Sequence, residues 1–87
     1  MTVIGGEIDQ LLGLRTSFDR QSASVEGLLR ELRAQLNDTF WSGGAADRFR
    51  AAWQSEYEPA LTNLSGALQD AANEVGRRAS ALEHAGG

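Results

Sequence analysis

The chain has 87 residues, no cysteine, one histidine and a net charge of −4, with 41% hydrophobic and 23% charged residues. That length holds at most one domain with a modest core, no disulfide can staple it, and a lone histidine leaves any metal site to carboxylates. All eight basic residues are arginine, a bias that with abundant Ala and Gly fits a GC-rich genome; they form no dense cationic cluster, which argues against nucleic acid as a partner. No stretch approaches the roughly 20 apolar residues of a membrane span, so no membrane insertion is expected. The N-terminus, Met1-Thr2-Val3-Ile4-Gly5-Gly6-Glu7, lacks the basic segment and apolar run of a secretory signal. A chain of this kind that leaves the cell is expected to use a route that reads no cleaved signal peptide.

The first element spans residues about 6–37. One apolar row spaced by seven reads Ile4, Leu11, Phe18, Val25, Leu32, and a second reads Ile8, Arg15, Ser22, Leu29, Leu36. Alternating steps of three and four define a helical stripe, which the two-residue period of a strand would not give. Leu12, Leu14 and Leu28 widen that stripe, as suits a helix that meets more than one neighbour. Arg15 and Ser22 interrupt it, and an arginine at a seam edge buries its stem and keeps its charge wet.

Asn37-Asp38-Thr39-Phe40-Trp41-Ser42-Gly43-Gly44 breaks the pattern, and the turn is placed at about 38–43. Ser42 is the expected N-cap of the next helix, with Asp47 supplying negative charge near its start. That second helix spans about 44–83. Its rows read Leu61, Leu68, Val75, Leu82 and Tyr57, Leu64, Ala71, Arg78, with Phe49 and Trp53 extending them toward the turn. Ala46, Ala60 and Ala67 flank the stripe and are small enough to allow close helix approach. Pro59 cannot donate to Ser55, yet the stripe continues from Tyr57 to Leu61 and Leu64, so a kink is expected there and not a terminus.

So short a connection forces an antiparallel helical hairpin, a single all-α domain over 1–87. With the hairpin pivoting near Trp41, Pro59 is expected level with Ser22-Ala23-Ser24 and Ile4 level with Arg78, leaving an overhanging tail. The stripes are wider than one contact consumes. Leaving Leu12, Leu28 or Trp53 in water forfeits roughly 1.5–3 kcal/mol each, so a second hairpin is expected to pack on the first as a four-helix bundle. The positions expected at the hairpin or dimer interface are Leu11, Phe18, Val25, Leu28, Leu29, Leu32, Leu36, Phe49, Trp53, Tyr57, Leu61, Leu64, Leu68 and Val75. Whether the partner is a copy or a related chain stays open.

Trp41-Ser42-Gly43 at the midpoint of a short two-helix chain, followed by Ala45-Ala46 and Phe49, resembles the motif of the WXG-hundred family, and the resemblance covers essentially the whole chain. It implies a small non-enzymatic hairpin protein, without cofactors, that dimerises with itself or a related subunit and is exported by a type VII secretion system. The family's export signal resembles a composite, pairing the Trp-x-Gly turn of one subunit with a C-terminal Tyr-x-x-x-Asp/Glu of the other. Here Leu82 and Gly86 stand where that tyrosine and acid would fall. The resemblance therefore implies that a partner supplies the tail read by the secretion ATPase. The alternative is a cytosolic dimerisation or adaptor module that escorts a toxin or another partner. No catalytic constellation competes with these readings: there is no cysteine nucleophile, and the lone His84 sits beside the terminal glycines.

Overall fold

The computed structural model describes residues 2–86, with side-chain surroundings from 6 to 85; Ile4, and Gly86 of the tail comparison, lie outside the latter. Helix α1 (Thr2–Asp38) leads through an extended loop to α2 (Gly44–Ala52), which passes through a π-helical turn (Trp53–Tyr57) into α3 (Glu58–Gly86). The result is an all-α antiparallel hairpin, with no strand among the described residues. It measures 66 × 18 × 12 Å, two helices wide and one helix thick, since a helix with side chains is about 10–12 Å across. Its radius of gyration is 19.4 Å, against about 12 Å for a compact chain of this length.

The line along which the helices meet is built mostly from small residues, with Leu29 the one large side chain buried in it. Ser22 and Leu29 of α1 are buried, as are Ser65, Ala72 and Ala79 of α3, each set spaced by seven. Ser22 Oγ donates to the Ser65 carbonyl at 2.9 Å and lies 3.0 Å from Ser65 Oγ. Two hydroxyls that bond each other and the facing backbone offset the desolvation cost of their burial. Small facing side chains also let the two backbones approach closely. This corrects the placing of the seam in three respects. Ser22 is its centre and not an interruption, the α3 contact line falls one position after Leu64 and Ala71, and Ala60 and Ala67 are exposed while Ala46 is fully buried.

The register also differs from the one expected. Arg33 reaches Glu58, Ser22 meets Ser65, and Arg15 lies against Gly76. Pro59 is thus level with the stretch between Leu29 and Arg33, about two turns from Ser22-Ala23-Ser24. Ala79 is buried at 1% exposure, so no free tail begins at Arg78. The cause is the connection. The loop runs outward past the end of α1 before α2 turns back, which moves the pivot beyond Trp41. No Cα of α2 or of the π-turn comes within 8 Å of α1. Larger side chains fill this wider end, where Leu32 and Leu36 face Phe49 and Trp53 across a shallow groove.

The π-turn resolves a one-residue slip in the apolar pattern. Read backward by sevens, Leu61, Leu68 and Val75 lead to Gln54 and Asp47, whereas Trp53 and Ala46 are the apolar residues one position away. In the turn the Glu58 N–H bonds the Trp53 carbonyl five residues back. The extra residue is absorbed there, one turn before a proline that has no N–H to give. Trp53 thereby aligns with Leu61, and Phe49 with Tyr57 and Leu64.

Because the seam relies on small side chains, Ala72→Leu should overpack it at about 1–3 kcal/mol. Thermal melts followed by circular dichroism should show a midpoint lower by several degrees. Ala67→Leu, on the exposed side, should leave it nearly unchanged; equal effects would refute the small-residue seam.

Candidate functional site: an aromatic loop and the face it joins

The loop is held by its own short-range bonds. Thr39 closes α1, its N–H bonding the Leu36 carbonyl at 3.3 Å and its hydroxyl the Gln35 carbonyl at 2.6 Å. Gly43 then adopts φ 110°, ψ 178°, a region essentially confined to glycine. A Cβ there would touch nothing within 4 Å, so the constraint is torsional. The Gly43 carbonyl accepts from the Asp47 N–H at 3.0 Å and opens α2. The N-cap position is therefore Gly43 and not Ser42, and no side chain caps the helix. The backbone conformation that only Gly43 adopts cleanly sets the cap one residue later than the Ser42 side chain suggested.

Arg50 holds the loop from the α2 side. Its guanidinium donates to the Trp41 carbonyl at 2.7 Å and to the Thr39 carbonyl at 3.2 Å, and lies 6.0 Å from the Trp41 ring centroid. The two bonded carbonyls bracket Phe40, whose side chain is 100% exposed. A fully solvated phenylalanine on a loop fixed on both sides contributes nothing to the hairpin and is presented outward. Trp41 is 42% exposed and not sealed in an end-on core. It packs on Phe49 at 5.8 Å between centroids, and Phe49 on Tyr57 at 6.1 Å, giving a tilted aromatic row from the loop across α2 to the π-turn. Phe40 and Arg50 were not singled out in the sequence. A loop phenylalanine beside a tryptophan was visible there, but Arg50 is nine residues from the carbonyl it binds and only the fold brings them together.

The interface candidates fall into one pattern. On both helices the apolar residues stand one and four positions before a seam residue: Leu28 and Val25 before Leu29, Phe18 before Ser22, Leu64 and Leu61 before Ser65, Leu68 before Ala72, Val75 before Ala79. In an antiparallel pair these offsets lie on the same side of the seam, so they build one broad face. Leu29 is buried within the hairpin; Leu11, Phe18, Val25, Leu32, Leu36, Trp53, Leu61, Leu68 and Val75 are half-buried; Leu28, Phe49, Tyr57 and Leu64 are exposed. The other side carries the positions one and four after the seam residues, which are mainly charged, polar or glycine: Glu26, Arg30, Arg33, Gly66, Gln69, Asn73, Gly76 and Ser80.

One ion pair ties the two helices next to the π-turn. Arg33 Nε and Nη2 donate to the two Glu58 oxygens, each at 3.0 Å, and Trp53 Nε1 donates to Glu58 Oε1 at 3.0 Å. The Arg33 hydrogen bonds hold the Glu58 carboxyl below its ordinary value, overcoming the opposing effect of partial burial. A depressed carboxylate contributes stability that is present above the unfolded-state value and lost as pH falls through the folded one. The stability difference between wild type and Glu58→Gln should therefore shrink on acidification below the usual carboxylate value of 4.5, as read by melts at a series of pH values. A difference that is constant with pH would remove Glu58 ionisation from the account.

The family model described as proteins of 100 residues with WXG matches residues 6–86. No curated protein and no solved structure gives a match. The match spans nearly the whole chain, with Trp41-Ser42-Gly43 as the motif at the hairpin loop. The chain belongs to the WXG100 family, small helical proteins that are associated with type VII secretion and are not an enzyme family.

Proposed function

We propose that this protein works as one half of a four-helix dimer that is exported through a type VII secretion system, with the tail half of the export signal supplied by its partner. The observation that carries the reading is the broad apolar face that runs from Leu11 and Val75 to Phe49 of α2 and Trp41 of the loop. The hairpin exposes 6284 Å², where a compact monomer of its 9.3 kDa mass would expose about 5000 Å². The surplus is on the scale of one side of a stable protein interface, about 800 Å² per partner. No helix of the described residues is long and apolar enough to cross a membrane.

Recognition by the machine falls to the loop. Phe40 is presented by a fixed backbone and Trp41 is half solvated, and aromatic residues of this kind dominate binding energy when a partner encloses them. Leu82 is half-buried on α3 and, with Gly86, stands where the tyrosine and acid would fall, so neither of these positions supplies the tail motif. In a bundle of two antiparallel hairpins of similar length, the partner's terminal end comes beside this loop. The two halves of a composite signal then lie together.

Two measurements test this reading separately. Truncating Leu28 or Leu64 to alanine should weaken association by about thirtyfold each, the effect of about 2 kcal/mol of lost burial, in sedimentation of the chain alone or with a neighbour-encoded relative. A folded monomer at micromolar concentration in both mixtures would end the dimer claim. Phe40→Ala should leave the melting midpoint unchanged, and Phe40→Ala and Trp41→Ala should both strongly reduce the chain in culture supernatant while dimerisation persists. Normal secretion of both variants would leave the loop a structural feature. Retention of the wild-type chain in the cell would favour the adaptor reading.

A further inference from the structure

One charged residue stands on the seam row, with its side chain exposed. Arg15 stands in the row with Ser22 and Leu29, and it lies across Gly76 of α3. A Cβ at Gly76 would sit 3.3 Å from Arg15 Cδ and Nη1 and 3.4 Å from Cζ, closer than the neighbour could accept without moving. Glycine inside a helix costs about 1 kcal/mol against alanine, and here it opens the space that lets a guanidinium cross from one helix to the other. Arg15, Asn73, Gly76, Arg77 and Ser80 line the groove so formed. Every polar side chain in it can donate, and none is an acid. Among the described residues neither guanidinium has a carboxylate within 4.0 Å or a hydrogen-bond acceptor. In a chain of net charge −4, this is a local reversal of sign.

We propose that this groove binds a carboxylate-bearing segment of a third protein, docked on the side that dimerisation leaves open. Asn73, Gly76 and Ser80 stand one and four positions after seam residues, opposite the apolar face. The location rests on the dimer reading; the donor set does not. Asn73 to Ser80 spans two turns of α3, about 10 Å, which suits successive side chains of an acidic peptide. Two arginines on an acidic protein are too few for a polyphosphate backbone.

The probe is a short oligoglutamate peptide, titrated by calorimetry and by the arginine Nε–Hε resonances. The expected result is one peptide per hairpin, with the Arg15 and Arg77 resonances shifted. Affinity should fall about tenfold in Arg15→Gln and in Arg77→Gln, as loss of a charge-assisted pair implies. Gly76→Ala should weaken it by displacing Arg15, and Arg20→Gln, outside the groove, should leave it unchanged. No peptide binding, or equal loss in Arg20→Gln, overturns the proposal. Inorganic phosphate binding as tightly as the peptide also overturns it, since the groove would then be a simple anion site. A variant of the apolar face keeps the dimer question separate: in sedimentation Leu64→Glu should abolish dimerisation, and in calorimetry it should leave peptide binding intact.

Discussion

Helices whose facing side chains are serine and alanine can come close, and close approach pushes their leucines to the flanks. The Ser22–Ser65 contact sets this geometry, since each hydroxyl finds a partner on the other helix only where the backbones nearly touch. The apolar residues one and four positions before the seam are then left on one open side. A leucine-filled seam would have separated the helices and consumed that surface internally. The hairpin's elongated shape and its unpartnered face therefore have a common origin in the size of a few side chains.

The same constraint relaxes toward the loop. There the seam residues give way to Phe49 and Trp53, the helices separate, and stability shifts to aromatic packing and to the Arg33–Glu58 ion pair. The π-turn lies at this transition. By absorbing one residue it rotates α2 into phase with α3, and the aromatic row at the loop becomes continuous with the leucines of the face. A regular α-helix through the same residues would carry Phe49 and Ala46 about 100° away from that line. Family membership assigns the loop its motif, while the π-turn connects the motif to the surface that would receive a partner.

The two sides of the hairpin carry different chemistry because one offset rule applies to both helices. Positions before the seam residues are mostly apolar and positions after them mostly polar, so the molecule has an apolar side and a polar side. On the polar side Arg33 is paired with Glu58, while Arg15 reaches across Gly76 without a carboxylate partner among the described residues. A dimer formed through the first side would present the second twice.

By itself the sequence determined the helical hairpin, the position of its loop and the family, because seven-residue spacing and the Trp41-Ser42-Gly43 tripeptide are local patterns that need no partner to be read. Its eight-residue steps from Trp53 to Leu61 and from Phe49 to Tyr57 also recorded the π-turn, though a stripe read only from Tyr57 onward passes over them. The tertiary structure alone decided the register, the seam and the loop's anchoring. Register depends on how far the loop runs before α2 turns back, and that distance follows from Gly43's torsions and from Arg50 gripping two carbonyls. Which small residues meet depends in turn on the register, since Ser22, Ser65, Ala72 and Ala79 look like interruptions until the two helices are laid side by side.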